Sequence, residues 1–117
     1  MFTVIGLFKR RPGMSMDEFK DHYENVHAKL GAKCMTNIIG YKRRYLYPVP
    51  YPLDGSIVEP EYDVITEMTF PDKATSEACY AALASGEMNK ILSDDEENLF
   101  DKPKNRLVYV EEHSSDL

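Results

Sequence analysis

The chain has 117 residues, with 14 Lys and Arg against 20 Asp and Glu, which gives a formal net charge of −6. This length allows one compact domain, so we expect residues 1–117 to fold as a single unit. The 43% hydrophobic content, with eight Tyr and five Phe, excludes a disordered chain. The negative charge disfavours nucleic acid as a partner, and no apolar run reaches the ~20 residues that span a bilayer.

Cys34 and Cys79 form neither a metal-binding pattern nor a disulfide framework. The N-terminal residues lack a basic leader, so we expect no signal peptide. Together these features predict a cytoplasmic protein with reduced thiols.

The run from Phe2 to Phe8 is apolar and rich in β-branched and aromatic residues, and it predicts the first strand. Ser15 and Glu18 then form a capping box, in which each side chain can satisfy a free backbone amide at a helix start. We therefore expect a helix from Met16 to about Lys33.

Five apolar side chains follow the helical period and predict the buried face of this helix: Met16, Phe19, Tyr23, Val26 and Leu30. The opposite face is expected to carry Asp21, Glu24, Asn25 and Ala28. His22 and His27 lie at the two edges of the apolar stripe, and helical geometry alone does not choose between them.

Ile38 to Tyr47 predicts a second strand, with Tyr41, Arg43, Tyr45 and Tyr47 alternating onto one face. Three prolines exclude a central strand over residues 48–55, which are expected to form a long loop: a lid, a dimer arm or a disordered segment. Tyr62 to Phe70 predicts the third strand.

Asp72 or Thr75 is expected to cap another helix that extends through Leu83, with Gly86 as its stop. Ser93 to Glu96 has a second capping-box pattern, so the acidic run from Asp94 to Glu97 is expected to be a solvated helix start. Arg106 to Glu111 predicts the last strand.

The predicted order of elements is βαββαβ, which is typical of the α+β ferredoxin-like fold, a four-stranded antiparallel sheet with its helices on one face. This arrangement leaves the other, largely apolar, sheet face bare. A second copy is the simplest cover, and a homodimer is therefore expected.

Several residues resemble the EthD-type family. Phe19, Tyr23 and the Val26-His27-Ala28 run follow a strand that ends in Phe8-Lys9-Arg10. Further matches come later in the chain, at Ala81 to Met88, Asp94 and Phe100-Asp101. The resemblance implies a dimeric α/β barrel, in which two ferredoxin-like protomers pair sheet to sheet. It also implies a small, often aromatic, ligand handled by proton transfer without a cofactor, in xenobiotic degradation or polyketide tailoring.

His27 matches the family's helix histidine, which makes it the candidate general acid and base; a structural histidine is the alternative. Tyr23 is a candidate catalytic hydroxyl donor, although plain core packing also explains it. His22 does not match the motif and is expected to lie on a solvated flank. Three scattered histidines without a ligand spacing predict no metal site.

Arg43, Tyr45 and Tyr41 are candidate substrate-binding residues, because aromatic rings and a guanidinium can stack on a ring and hold a phenolate or carboxylate. Such residues are equally typical of a dimer interface. Lys9 resembles a basic residue of the family and could bind an anion. Tyr62 is a further candidate substrate-binding residue, for which plain core packing is again the alternative.

The leading hypothesis is a cofactor-free lyase, dehydratase, isomerase or cyclase that acts on a small aromatic or polyketide-like compound. The first alternative is a non-catalytic, small-molecule-binding accessory protein of an oxygenase pathway. The second alternative is a cofactor-independent monooxygenase.

Overall fold

Four strands form one antiparallel sheet in the computed structural model, which describes residues 1–117. They are β1 (Phe2–Phe8), β2 (Gly40–Tyr45), β3 (Val64–Phe70) and β4 (Arg106–Tyr109). Their order is β2-β3-β1-β4, so β2 and β4 are the two edges. All three neighbouring pairs are antiparallel, which confirms the predicted ferredoxin-like α+β fold.

One face of the sheet carries the helices. The first helical stretch comprises α1 (Met16–His22), a π-helical segment (Tyr23–His27) and α2 (Ala28–Cys34), joined without a break. Then α3 (Lys73–Leu83) and α4 (Gly86–Leu99) follow β3. None of these helices has the length and apolar character that crossing a membrane requires.

The starts of α1 and α3 are set by predicted caps. The Glu18 backbone N–H donates to Ser15 Oγ over 3.1 Å, and the Ser15 N–H donates to Glu18 Oε1 over 3.2 Å, which confirms the capping box. At α3, Asp72 rather than Thr75 is the cap, because the Thr75 N–H donates to Asp72 Oδ1 over 2.7 Å. Gly86 has a φ of +83°, a conformation that glycine adopts without strain, and it separates α3 from α4 as expected.

Two apolar clusters hold the helices to the sheet. The larger joins the first helical stretch and the end of α4 to β3: Phe19, Tyr23, Ala28, Val64, Leu99 and Phe100. The second lies under α3: Val4, Met35, Met68, Phe70 and Cys79. Gly31 allows close approach between α2 and β2, since a Cβ there would lie 2.7 Å from the Tyr41 hydroxyl.

The π-helical segment changes which residues of the first helical stretch face inward. The Ala28 N–H donates to the Tyr23 carbonyl oxygen, a bond five residues long that fits one extra residue into the turn. His27 and Ala28 are buried as a result, while Val26 is 39% exposed. The predicted face was therefore wrong beyond Tyr23, because it assumed an uninterrupted 3.6-residue period.

The second predicted capping box was also wrong. Helix α4 begins at Gly86 and continues through Ser93 without a break, so Ser93 is an interior helical residue. Asp95 is only 8% exposed, and the acidic run from Asp94 to Glu97 is thus not uniformly solvated. The Asp95 side chain is buried because two side chains from the first helical stretch bind its carboxylate.

Strands β2 and β3 are shorter than predicted, and the segment between them projects from the body. The Leu46 N–H donates to the Asp63 carbonyl over 2.9 Å, and beyond this bond every residue from 47 to 59 is exposed. We call residues 47–59 the arm. Its tip is closed by a 2.7 Å bond from the Tyr51 N–H to the Ser56 carbonyl.

Candidate functional site

The buried carboxylate of Asp95 binds two histidines. His22 Nε2 lies 2.8 Å from Asp95 Oδ1, and His27 Nδ1 lies 2.8 Å from Oδ2. An ionised carboxylate only accepts hydrogen bonds, so both ring nitrogens must carry the proton. The expectation that His22 lies on a solvated flank was wrong, since its ring is tied to α4.

The π-helical segment is what lets one carboxylate reach both rings. Residues five apart in an α-helix differ in direction by about 140°, which would separate His22 from His27. The extra residue in the π turn reduces this angle and brings the two side chains to one side of the helix. The Asp95 side chain then lies between them.

His27 has a neutral ring with one nitrogen available to a reactant. Burial lowers the pKa of His27, while its bond to Asp95 opposes this shift. Burial raises the pKa of Asp95, but the hydrogen bonds from His22 and His27 bring it below its ordinary value. At neutral pH, therefore, Nδ1–H donates to the carboxylate and Nε2 is unprotonated. No side-chain nitrogen or oxygen that is fully buried lacks a hydrogen-bond partner. His27 Nε2 makes no hydrogen bond, so this atom is not fully buried and touches solvent.

Two aromatic rings pack against His27. Its ring centroid lies 5.4 Å from that of Tyr23 and 5.3 Å from that of Phe100, both in edge-to-face orientation. The Tyr23 hydroxyl is buried and hydrogen-bonded to Thr66 Oγ1 over 2.6 Å. Burial raises the pKa of Tyr23 well above its ordinary value, so the hydroxyl stays protonated. Tyr23 is thus both a core residue and a neighbour of His27.

Arg43, Tyr45 and Tyr41 lie under the first helical stretch, on the covered side of the sheet. The Arg43 guanidinium donates to both carboxylate oxygens of Glu24, from Nε over 2.9 Å and from Nη2 over 2.7 Å. The Tyr45 hydroxyl donates to Glu24 Oε2, and the guanidinium lies 4.8 Å from the Tyr41 ring centroid. These groups already satisfy one another, and their role as substrate ligands stays a prediction.

Lys9 and Tyr62 lie elsewhere, in a cavity of about 370 Å³ that they share with Glu61, Lys104 and Arg106. The Lys9 ammonium is 3.3 Å from Asp63 Oδ2. A carboxylate of the chain thus already pairs with Lys9, and the roles of Lys9 and Tyr62 in ligand binding stay predictions.

A larger and more apolar cavity, of about 550 Å³, opens between α3 and β4. Its lining is mostly aliphatic and aromatic, with a short polar stretch from α3: Phe2, Val4, Lys73, Ser76, Glu77, Tyr80, Leu107, Val108 and Tyr109. We call it the α3–β4 cavity. None of the seven residues predicted for the site lines it.

The polar groups at the α3–β4 cavity come mainly from one helix face. Lys73 Nζ lies 3.8 Å from Glu77 Oε1, and Ser76 Oγ donates to the Lys73 carbonyl. Burial raises the pKa of Tyr80 to about 12, so its hydroxyl is a neutral donor, directed at the Met68 sulfur 3.7 Å away. Sequence reasoning missed these residues because none belongs to a chemical motif; the aromatic residues of β1, α3 and β4 were the only signal.

A family model described as EthD domain matches residues 11–103 of the chain. No curated protein matches. An ethyl tert-butyl ether D (EthD) family protein of Bacillus halodurans has a similar structure, with TM-score 0.66 and 19% identity; the match covers 97% of this chain and 100% of that one.

Two other solved structures share the fold. One is the Arabidopsis thaliana protein At3g17210, with TM-score 0.65, 13% identity and full coverage of both chains. The other is an antibiotic biosynthesis monooxygenase, with TM-score 0.53, 14% identity, and coverage of 97% of this chain and 100% of that one. At these identities the similarity concerns the fold.

The buried His27 should make the protein less stable in mild acid. Its pKa lies below the unfolded value of 6.5, so as pH falls through this range the unfolded chain binds more protons than the folded chain. The free energy of unfolding should therefore decrease, by at most about 1.4 kcal/mol per pH unit from this group. His27→Gln should flatten the dependence between about pH 6.5 and pH 5 in urea titrations.

The matched control is His113→Gln, which changes a histidine of the exposed tail and should leave the slope unchanged. Equal slopes for wild type and His27→Gln would contradict the lowered pKa.

Proposed function

The chain belongs to the EthD family, and from this premise we propose that it binds a small aromatic or polyketide-like compound, without a cofactor, in the α3–β4 cavity. The observation that carries the proposal is the cavity itself. Its volume of about 550 Å³ lies in the range of small-molecule sites, and six of its nine lining residues are hydrophobic.

The arrangement of the lining favours a flat ring with one polar substituent. The Phe2 and Tyr109 rings stack with centroids 5.8 Å apart, and the Tyr80 ring stands on the α3 side. Lys73, Ser76 and Glu77 are the polar groups that a hydroxyl or carboxylate substituent could contact. Apolar burial would supply most of the affinity, and these groups would supply the orientation.

We further propose that the working form is a cytoplasmic homodimer. The uncovered sheet face supports it, because Ile5, Leu7 and Ile65 are only partly buried there with no helix above them. The two free cysteines support a reducing compartment. The net charge of −6 argues against nucleic acid and anionic membrane surfaces as partners.

A ligand titration tests the binding site. We expect phenolic and naphtholic ligands to shift the amide NMR signals of Phe2, Tyr80 and Tyr109. Leu107→Asp, which places a charge in the apolar lining, should weaken binding at least about tenfold, or ~1.4 kcal/mol. The same substitution at Met88, an exposed residue of α4 that does not line the cavity, is the control.

Signals that shift around His27 instead, or equal affinities of Leu107→Asp and wild type, would overturn the proposed site.

A second candidate function is proton-transfer catalysis at His27, of the lyase, dehydratase, isomerase or cyclase kind. It is favoured by the His27–Asp95 pair, in which a carboxylate holds Nδ1–H and leaves Nε2 as a base. In such a reaction Nε2 removes a proton from the substrate, the imidazolium is stabilised by Asp95, and the proton is returned to the product. Phe100 packs edge-to-face against the His27 ring, with centroids 5.3 Å apart, and would border a substrate that reaches Nε2.

Turnover tests the second candidate. Substrate-panel reactions in D₂O should show deuterium entering the substrate by mass spectrometry, and His27→Gln should reduce the rate at least ~100-fold. Asp95→Asn should shift the pH–rate profile, and His113→Gln should react as wild type does. Oxygen consumption would instead favour the monooxygenase alternative, which the structural similarity to an antibiotic biosynthesis monooxygenase suggests.

Retention of the exchange rate in a folded His27→Gln variant would remove His27 from the mechanism.

A further inference from the structure

The arm exposes an unusual concentration of apolar side chains. Six large ones between residues 47 and 59 are each more than half exposed: Tyr47, Val49, Tyr51, Leu53, Ile57 and Val58. Only Asp54 and Glu59 are charged in this segment. Disordered linkers avoid this composition, because they cannot bury such side chains. A surface segment so rich in apolar residues marks a contact site.

The arm is also pre-ordered and extends away from the body. Pro48, Pro50 and Pro52 fix the backbone φ of its first half, which lowers the entropy lost when it docks. The radius of gyration is 15.7 Å, against about 13 Å for a compact domain of this length, and the arm and the exposed residues 110–117 both contribute to the difference. The polar contacts of the arm with the body lie at its roots, where Lys20 meets Tyr47 and Arg10 meets Glu59.

The chain has one other run of exposed apolar residues, on β4 and directly after it. Leu107, Val108, Tyr109 and Val110 are consecutive, and each is at least 37% exposed. The remaining exposed large apolar residues are scattered along the chain. The arm connects β2 to β3, whereas β4 is the edge of the sheet opposite β2, and both runs are exposed in the single chain.

We propose that the arm of one copy packs on β4 of a second copy and closes that copy's α3–β4 cavity. Both surfaces are apolar and exposed, and each chain carries one of each, so a two-fold dimer covers both reciprocally. Ten such side chains come from each copy. An average of about 80 Å² covered per side chain would give the ~1,600 Å² of a standard interface.

This inference rests on the proposed homodimer and on the proposed ligand cavity, and it adds that each binding site is completed by the partner. Leu107, Val108 and Tyr109 both line the cavity and belong to the exposed run of β4. The partner's arm would therefore contact the ligand site directly and exclude water from it.

Sedimentation and ligand binding of paired variants test the proposal. The arm variant Leu53→Asp/Val58→Asp should lower the dimer association constant at least ~100-fold and weaken binding of 2-naphthol, with no loss of the folded circular dichroism signal. Met88→Asp should behave as wild type in both measurements. Leu107→Asp should weaken both, because it changes the docking surface and the cavity.

Mixing the arm variant with the Leu107→Asp variant provides the decisive readout. A mixed dimer contains one intact arm facing one intact β4, so 2-naphthol binding should return with one site per two chains. Two results would overturn the proposal: a monomeric wild type, and an arm variant that dimerises normally. If that normally dimerising variant has lost ligand affinity, the arm is a lid on its own chain.

If wild type dimerises through the arm but binds no aromatic ligand, the arm contact stands. The proposed binding function then fails separately.

Discussion

The double hydrogen bond from His22 and His27 to Asp95 is the interaction on which the helical layer depends. It joins α4 to the first helical stretch across 73 and 68 residues of sequence. A buried carboxylate without these donors would have to be neutralised or exposed, at a cost of several kcal/mol. The same bond explains the π turn, since only a widened turn presents both rings to one carboxylate.

The hydrogen bonds to Asp95 also determine which part of the sheet the helices cover and which part stays open. The first helical stretch and the end of α4 close over β3, and Phe19, Tyr23, Leu99 and Phe100 fill the space beneath them. With α4 held there, only α3 is left near β4, and its Cys79, Tyr80 and Leu83 pack toward the sheet. The gap between α3 and β4 is the α3–β4 cavity. The cluster of His22, His27 and Asp95 and the α3–β4 cavity thus both result from one arrangement of the helices.

Much of the fold was accessible from the sequence because local signals determine it. The bounds of β1 agree with its apolar run, and the Ser15–Glu18 capping box sets the start of α1. Gly86 ends α3 because its φ of +83° is unfavourable for other residues. Topology follows from the order of these elements.

The site was less accessible, because its signals are not local. A π turn has no sequence period of its own, so the inward rotation of His27 and Ala28 could not be anticipated. Asp95 looked like one of several solvated acids, and only the tertiary structure provides its partners. The α3–β4 cavity arises where no helix covers β4, which is a property of packing rather than of any motif.

The most direct test of this account is the protonation state of the His27 ring. Nitrogen-15 NMR of labelled histidine at about pH 7.5, well above the ordinary histidine pKa, distinguishes the two neutral tautomers and the imidazolium. The account predicts a neutral ring with the proton on Nδ1 and a lone pair on Nε2, and loss of that state in Asp95→Asn. A proton on Nε2, or a doubly protonated ring at this pH, would contradict it.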